Sequence, residues 1–565
     1  MTNLLRIDDV APDRAAYRPG EPARVTVSLA NDGPAPAAGR LVLALAHLAR
    51  EIARWERPVE IGPGAAAHVD FAIELPPETP RGYGLDAALL DAAGATLAEG
   101  GGALDVLERW SQAPRYGFLS DFAPGQADVA ARCDSLRRYH LNVVQFYDWM
   151  WRHYALLPPA EAISGGDEGF TDALGRRLSL ATVREAIAAV QGRGAAALAY
   201  GAVYGAEPEY ADAHPQLALF DEKGNRISLA ELFYIMNIAP GSPWVPLIVA
   251  EFARAVRELA FDGIHLDQYG FPKTARAATG EQVDLSAHFP PLIDAARAAV
   301  VAERPEAGVI FNAVGNWPIE TVAPTSQDVV YIEVWPPDEY YDDLRRLVGD
   351  ARRLSGGKQV ILAAYLSPFG QATEQTVAQA EAAALLATAA IAASGGSHLL
   401  LGERDGILCD PYYPKYAALR PEFARAMRGY YDFLVRYEEL LVAPDLADWP
   451  GEVALAGARS SARAEAGAVW TIARRKPGCL VIHLVNLADQ ADARWNAPRT
   501  PPTPIERLAL SAHLPARPRE VLVMSPDANQ GRPQAIAPEW GDGLLTVEIA
   551  RLATWAIVVL SGPTL

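Results

Sequence analysis

Apolar and polar positions change rhythm twice along this chain. Up to Trp110 the apolar residues come in short alternating runs, such as Ala23–Leu29 (ARVTVSL), Leu41–Leu45 (LVLAL) and His68–Ile73 (HVDFAI). Turn-forming clusters at Asn31–Pro34 and Pro76–Pro80 separate them. Alternation with a period of two marks half-buried strands. Short strands at this spacing predict an antiparallel β-sandwich of immunoglobulin-like type.

After Trp110 the runs become apolar throughout and alternate with helical patterns. The expected strands are Tyr116–Ser120, Asn142–Tyr147, Ala195–Val203, Gly263–Asp267, Val309–Ala313, Val329–Val334, Val360–Tyr365 and Ser397–Gly402. Helical spacing appears between them, for example at Asp128–Tyr139, Thr182–Val190, Val245–Leu259, Leu292–Ala302, Tyr341–Leu354 and Val377–Ala393. Strands without a polar face belong in a parallel sheet covered on both sides. Eight strand–helix alternations fit a (β/α)8 TIM barrel with long inserted loops. A doubly wound open sheet is the alternative, but it usually has fewer strands and a glycine-rich first turn that this chain lacks. From Leu441 onward, β-type runs return at Ala468–Ala473, Cys479–Leu487, Glu520–Met524, Leu544–Glu548 and Trp555–Leu560. The expectation is a multidomain α/β chain: a sandwich over 1–112, a barrel over 113–440 and a C-terminal β-sandwich over 441–565.

Composition narrows the partners. At 565 residues the chain has room for several domains. A net charge of −19 argues against nucleic acid and an anionic membrane surface, both of which select basic patches. It leaves a neutral ligand open. Cys133, Cys409 and Cys479 are too scattered for a disulfide framework or a zinc site. The start, MTNLLRIDDV, has no basic region followed by an apolar core, so no signal peptide is expected. The apolar stretch Ala382–Ser394 reads as too short for a membrane span. The expectation is a reduced cytoplasmic protein, or an extracellular one if a leader was trimmed; oligomeric state is not legible.

Candidate chemistry lies where the apolar strands stop, because barrel enzymes work at the carboxyl ends of their strands. The run FDGIHLDQYG (Phe261–Gly270) stops at Asp267, and YIEVWP (Tyr331–Pro336) carries Glu333 at the corresponding point. No Gly-x-Ser-x-Gly elbow, no His-Glu-x-x-His and no strand-ending lysine competes with them. Two acids on different strands among aromatics suggest the acid and nucleophile of a glycosidase. Asp267 could instead cap the following helix. Asp262, in an Asp-Gly turn at the opposite strand end, reads as a structural acid. Glu333, between Ile332 and Val334, is expected to be buried with a raised pKa, which suits a general acid. The remaining candidates are substrate contacts: Gln145, Tyr147, Asp148, Trp149, His153, Tyr204, His265, Tyr269, Asn312, Trp335, Tyr365 and Glu403. Aromatic faces can cover pyranose rings, with Trp149, Trp151, Tyr204, Trp317 and Trp335 placed as separated platforms. Asp148 could equally form an ion pair with Arg152, and Glu403 one with Arg404. His153 and His398 lack metal-ligand spacing, so no metal and no cofactor are expected.

At these residues the chain resembles glycoside hydrolase family 66, the dextranases and cycloisomaltooligosaccharide glucanotransferases. The matching segments are YGFLSDF (Tyr116–Phe122), LNVVQFYDWMWRH (Leu141–His153), FDGIHLDQYG, YIEVWP and HLLLGERDGILCDPYYPKY (His398–Tyr416). The resemblance implies a retaining mechanism on α-1,6-linked glucans. It makes Asp267 the nucleophile, Glu333 the acid/base and Asp148 a binder of sugar hydroxyls. There is no room for the carbohydrate-binding insertion of the cyclising members, which favours hydrolysis of dextran fragments or isomaltooligosaccharides. The rivals are a transglycosylase, which passes the glucosyl group to a sugar, and a non-catalytic carbohydrate-binding protein.

Overall fold

The computed structural model describes residues 4–563. The first three and last two residues of the expected outer units therefore lie outside the described residues. The central feature is an eleven-stranded sheet whose first eight parallel segments follow chain order. They run Tyr116–Leu119, Val143–Phe146, Ala196–Ala202, Gly263–Asp267, Gly308–Val314, Val329–Glu333, Val360–Ala363 and Ser397–Leu399. The last expected strand is interrupted at Leu400. Its first part pairs with Val360–Ala363, while Leu401–Gly402 pairs in parallel with the first strand through Gly402 and Phe118. The sheet thus curls back onto its own beginning. Two short antiparallel strands, Gly406–Ile407 and Ala417–Ala418, extend it.

The strand that ends on Asp267 is fixed at both ends. Gly263 adopts φ +152°, which only glycine takes without strain. A Cβ there would strike the backbone of Gly308 on the next strand. Asp262 accepts from Ala197 N (2.8 Å) and Gln191 Nε2 (2.9 Å) and pairs with Arg304 at 2.8 Å. Its carboxylate therefore ties the amino end of one strand to its neighbour.

Helices cover the outside of this sheet. Tyr341–Leu354 buries Tyr341, Leu344, Leu347, Val348 and Ala351, a helical stripe. Asp342 and Asp343 stand in its first turn and Arg352 and Arg353 in its last, favourable against the helix dipole. The helix Leu285–Glu303 begins a full seven residues before the expected Leu292, with Pro290 and Pro291 inside it. Asp284 caps it by accepting from Ser286 N, and the Ser286 carbonyl, which Pro290 cannot serve, accepts from Thr321 Oγ1 at 2.9 Å. Val377–Ser394 has the length and apolarity of a membrane span, contrary to the shorter stretch read from sequence. However, 78% of it is buried in this fold, and it ends at Gly395 with φ +90°.

Two further groups of antiparallel strands flank the central sheet. Before it, a three-stranded and a four-stranded sheet share a core that includes Val25, Val27, Leu43, Phe71 and Leu85. After it, the strands from Ala447 to Ser561 gather around Leu480, Ile482, Leu508, Val547 and Val558. In this last unit, the long connection between Cys479–Asn486 and Ile505–His513 reaches back to the central sheet: Tyr341 N donates to Ala493 O, and Trp495 N to Glu339 O, at 3.0 and 3.1 Å.

Candidate active site

Asp267 and Glu333 are the final residues of their strands, with Gly308–Val314 lying between the two. On that middle strand, Asn312 donates from its single amide nitrogen to Asp267 Oδ1 at 2.8 Å and to Glu333 Oε2 at 3.2 Å. Both contacts share one atom, so these carboxylate oxygens lie no more than about 6 Å apart, the sum of the two. Tyr200 Oη–H donates to the other oxygen of Asp267 at 2.7 Å, and Tyr365 Oη–H to Glu333 Oε1 at 2.9 Å. Each carboxylate is thus held by donors through both oxygens.

Electrostatics couple the pair. Burial, then the negative charge of Glu333, push Asp267 up to about 7, against the lowering effect of its Tyr200 and Asn312 donors. Burial likewise raises Glu333, opposed by Tyr365, Asn312 and Trp335. Two acids this close lose their protons as a pair. Both shifts favour the protonated forms, so the pair holds on to protons above the ordinary carboxylate range.

Beneath them, His265 lies between the rings of Tyr116 and Tyr200, nearly parallel to both, and shares a 2.9 Å hydrogen bond with Tyr116 Oη. Burial lowers its pKa to about 3, so the imidazole is neutral. Gln145 lies equally deep, with Tyr413 Oη–H donating to it at 3.5 Å. Tyr413 also meets Tyr331 Oη (3.1 Å) and Tyr365 Oη (3.5 Å), linking the floor of the site to Glu333. Tyr147 stacks on Tyr413 with ring centroids 4.3 Å apart.

Several expected sugar contacts are placed elsewhere. Trp149 and Tyr204 are wholly buried. Trp149 donates to Tyr200 O, and Tyr204 donates to Phe271 O and accepts from Tyr269 N. They hold the strand ends and offer no open ring face. Trp151, Trp317 and Trp335 remain half-buried. His153 is buried against Glu207, its backbone N–H donating to the carboxylate and its Nδ1 2.9 Å away. Glu403 has no exposed surface: it accepts from Ser120 N and Oγ, pairs with Arg132 at 2.8 Å and lies 4.0 Å from Arg404, so the ion-pair alternative is present beside a closer partner. Arg404 reaches mainly Asp121 and Asp128.

Asp148 adopts φ +50° and is nearly buried, and burial raises its pKa. Its partner is not Arg152, which pairs with Glu209. Instead Arg176 approaches Asp148 Oδ2 at 3.5 Å and donates to its carbonyl at 2.9 Å. Arg176 and Tyr413 are among the site residues that sequence reasoning missed, with Tyr116 and Tyr331. The hairpin Gly169–Thr171/Arg177–Ser179 that carries Arg176 at its turn is too short for a periodicity signal. Tyr413 stood within a quoted motif without a strand end to mark it. Among the described residues, no cluster of three His, Cys, Asp or Glu side chains could hold a metal ion.

A linked pair of carboxylates at the strand ends of a curled parallel sheet, walled by tyrosines, defines a class of carbohydrate-cleaving enzymes. The chain belongs to glycosyl hydrolase family 66, whose model matches residues 12–559, and it is accordingly a glycoside hydrolase. It is 24% identical to a cycloisomaltooligosaccharide glucanotransferase of Niallia circulans, over 99% of this chain and 72% of the relative. It is 23% identical to a dextranase of Streptococcus salivarius, over 86% of this chain and 68% of that one. A Paenibacillus cycloisomaltooligosaccharide glucanotransferase, solved with cycloisomaltoheptaose, has the same fold. The TM-score is 0.91 at 23% identity, covering 98% of this chain and 100% of that one. The Niallia alignment runs over 710 positions, longer than this 565-residue chain, so that relative has stretches without a counterpart here.

Proposed function

We propose that this chain is a retaining glycoside hydrolase that cleaves α-1,6-glucosidic bonds in isomaltooligosaccharides or dextran. Asp267 is the nucleophile and Glu333 the acid/base. The observation that carries this reading is the one nitrogen of Asn312 shared by both carboxylates, which caps the distance between the two oxygens it holds at about 6 Å. Retaining enzymes hold the two carboxyls roughly 5–5.5 Å apart, whereas inverting ones need about 6.5–9.5 Å for an intervening water.

In the first step, Glu333 gives its proton to the glycosidic oxygen as the bond to the anomeric carbon breaks. Asp267 attacks that carbon and forms a glucosyl ester. The leaving chain departs as a neutral alcohol. In the second step, Glu333, now a carboxylate, takes a proton from water as the oxygen displaces Asp267. Two inversions leave the product α. Tyr200 and Asn312 stabilise the anionic Asp267 before attack and after release. Asp148, held by Arg176, is our choice for binding sugar hydroxyls beside the reacting ring. The names of the relatives support the linkage and the substrate class. The stretches missing relative to the Niallia enzyme favour hydrolysis over cyclisation. We place the reaction on a (β/α)8 barrel over 113–440, with an immunoglobulin-like sandwich over 1–112 and a C-terminal sandwich over 441–565. The curled strand order and the separate apolar cores support that division.

The test is incubation with dextran, isomaltooligosaccharides, starch and pullulan, with products separated by size and their anomers read by proton NMR. The expected result is α-anomeric products from dextran or isomaltooligosaccharides and little from starch. Initial β-anomers, or faster cleavage of maltooligosaccharides than of isomaltooligosaccharides of equal length, would overturn the proposal.

A further inference from the structure

Beside Glu333 the structure contains a cavity of about 270 Å³. One wall comes from the catalytic rim, Trp335 and Tyr365, and Tyr365 is the residue that donates to Glu333. The opposite wall is Arg494, Trp495 and Asn496, from the long connection of the C-terminal unit, and Cys409 lines the same space. This connection is fixed to the rim. Arg494 forms a β-bridge with Tyr340, and Trp495 Nε1–H donates to Asp338 O at 2.8 Å.

The chemistry of the walls suits a neutral, hydroxylated ligand. The charges present are already matched, Arg494 with Glu339 at 3.2 Å and Asp338 with Arg346. Asn496 Oδ1 accepts both Ser367 N–H and Ser367 Oγ–H at 2.9 Å, which leaves the amide NH2 as its donating end. Trp335 supplies a half-buried ring. The volume falls just under the roughly 300 Å³ at the low end for small-molecule clefts, room for one sugar ring and not for a chain. Its position beside the acid is where the departing sugar must lie, since Glu333 protonates the oxygen of the leaving chain.

We infer that this cavity is the subsite for the glucosyl unit on the leaving side of the bond, and that the C-terminal unit completes it through Asn496. The inference rests on the proposed roles of Asp267 and Glu333. The same subsite holds the acceptor when a sugar replaces water in the second step, so Asn496 sets the balance between transfer and hydrolysis.

Cys409 provides a readout independent of turnover, because Cys133 and Cys479 are buried. Alkylation of Cys409 by iodoacetamide, followed by mass spectrometry, is to be measured on the Asp267→Asn protein, which cannot consume the sugar. Isomaltotriose is expected to slow it at least threefold and saturably; an unchanged rate at saturating sugar overturns the subsite. In the second arm, the otherwise unaltered enzyme carries Asn496→Asp, which keeps an acceptor for Ser367 but loses the NH2. The ratio of transfer to added isomaltose over hydrolysis should fall about five- to tenfold, the loss of one hydrogen bond. An unchanged ratio again overturns it. If the unsubstituted enzyme leaves isomaltooligosaccharides uncleaved while they still protect Cys409, the catalytic reading fails and the binding site stands.

Discussion

Asn312→Ala tests the linkage between the two acids directly. The substitution removes one donor shared by Asp267 and Glu333, with contacts of 2.8 and 3.2 Å. Hydrogen bonds to charged groups contribute about 1.5–3 kcal/mol. The shorter bond to Asp267 should carry most of this. The donor favours the ionised carboxylates and lowers the pKa of both acids. Its removal therefore raises both, and at about 1.36 kcal/mol per unit the rise is on the order of one unit. Activity requires the pair to hold one proton, so the acid limb of the kcat/KM profile should move to higher pH by about one unit. The alkaline limb should follow in the same direction. At the original optimum, kcat/KM should drop roughly ten- to hundredfold. The assay is kcat/KM on isomaltotriose across pH 4–9, with circular dichroism to establish folding at each pH. A folded Asn312→Ala enzyme with an unmoved profile and near-normal kcat/KM would refute the claim that this nitrogen couples the acids.

Four further outcomes follow from the same geometry. Asp267→Asn should abolish turnover yet raise Tm at pH 8. A carboxyl whose folded pKa, about 7, exceeds its unfolded value destabilises the fold as pH rises through that window, so the gain should be on the order of 2–4 kcal/mol at pH 8 and vanish near pH 4; a gain that grows on acidification contradicts this. Glu333→Gln should slow isomaltotriose far more than an activated aryl glucoside, because only the former needs a proton on its leaving oxygen; equal losses would remove it as the acid. Arg176→Ala should raise KM on isomaltotriose by freeing Asp148, whereas Arg152→Ala, whose partner Glu209 is exposed, should change kinetics and Tm little; the reverse ranking in the same assay excludes Arg176 as the Asp148 partner. Glu403→Ala should cost up to about 3–5 kcal/mol in denaturant unfolding by taking the buried carboxylate from Arg132, which keeps only Asp128 at 3.4 Å and the Asp121 carbonyl; an unchanged midpoint would show the pair to be dispensable.

The sequence was most legible where burial forces a simple pattern. Gly263–Asp267 lies in the structure with the ends read from its apolar run, because a strand covered on both faces tolerates a charge only where the cover stops. Asp267 and Glu333 could be placed at strand ends for the same reason. Their joint contact with Asn312 depends on three strands side by side, which no local pattern encodes. Two of the five platform aromatics were misread, because an aromatic after a strand looks the same whether it faces solvent or packs inward. Trp149 and Tyr204 pack inward, each with its polar atom satisfied by backbone. Proximity in sequence offered Arg152 as the ion-pair alternative for Asp148, while its partner Arg176 arrives from a hairpin 28 residues on. Leu400 gave no sign of interrupting its strand, since an apolar run reads as continuous even when its two halves serve different neighbours.

The reach of the Leu487–Pro504 connection also fixes when this molecule becomes whole during its synthesis. The connection is anchored by Cys479–Asn486 at one end and Ile505–His513 at the other. Those strands are themselves completed only by their partners Trp555–Ser561 and Leu544–Leu552. A chain emerging from the ribosome amino end first can close its curled sheet once Gly402 is available to pair with Phe118. The wall facing Trp335 must wait for the strand Trp555–Ser561. A nascent polypeptide therefore carries both acids in place while one side of their cleft stands open to water, until Trp555–Ser561 has paired with Cys479–Asn486.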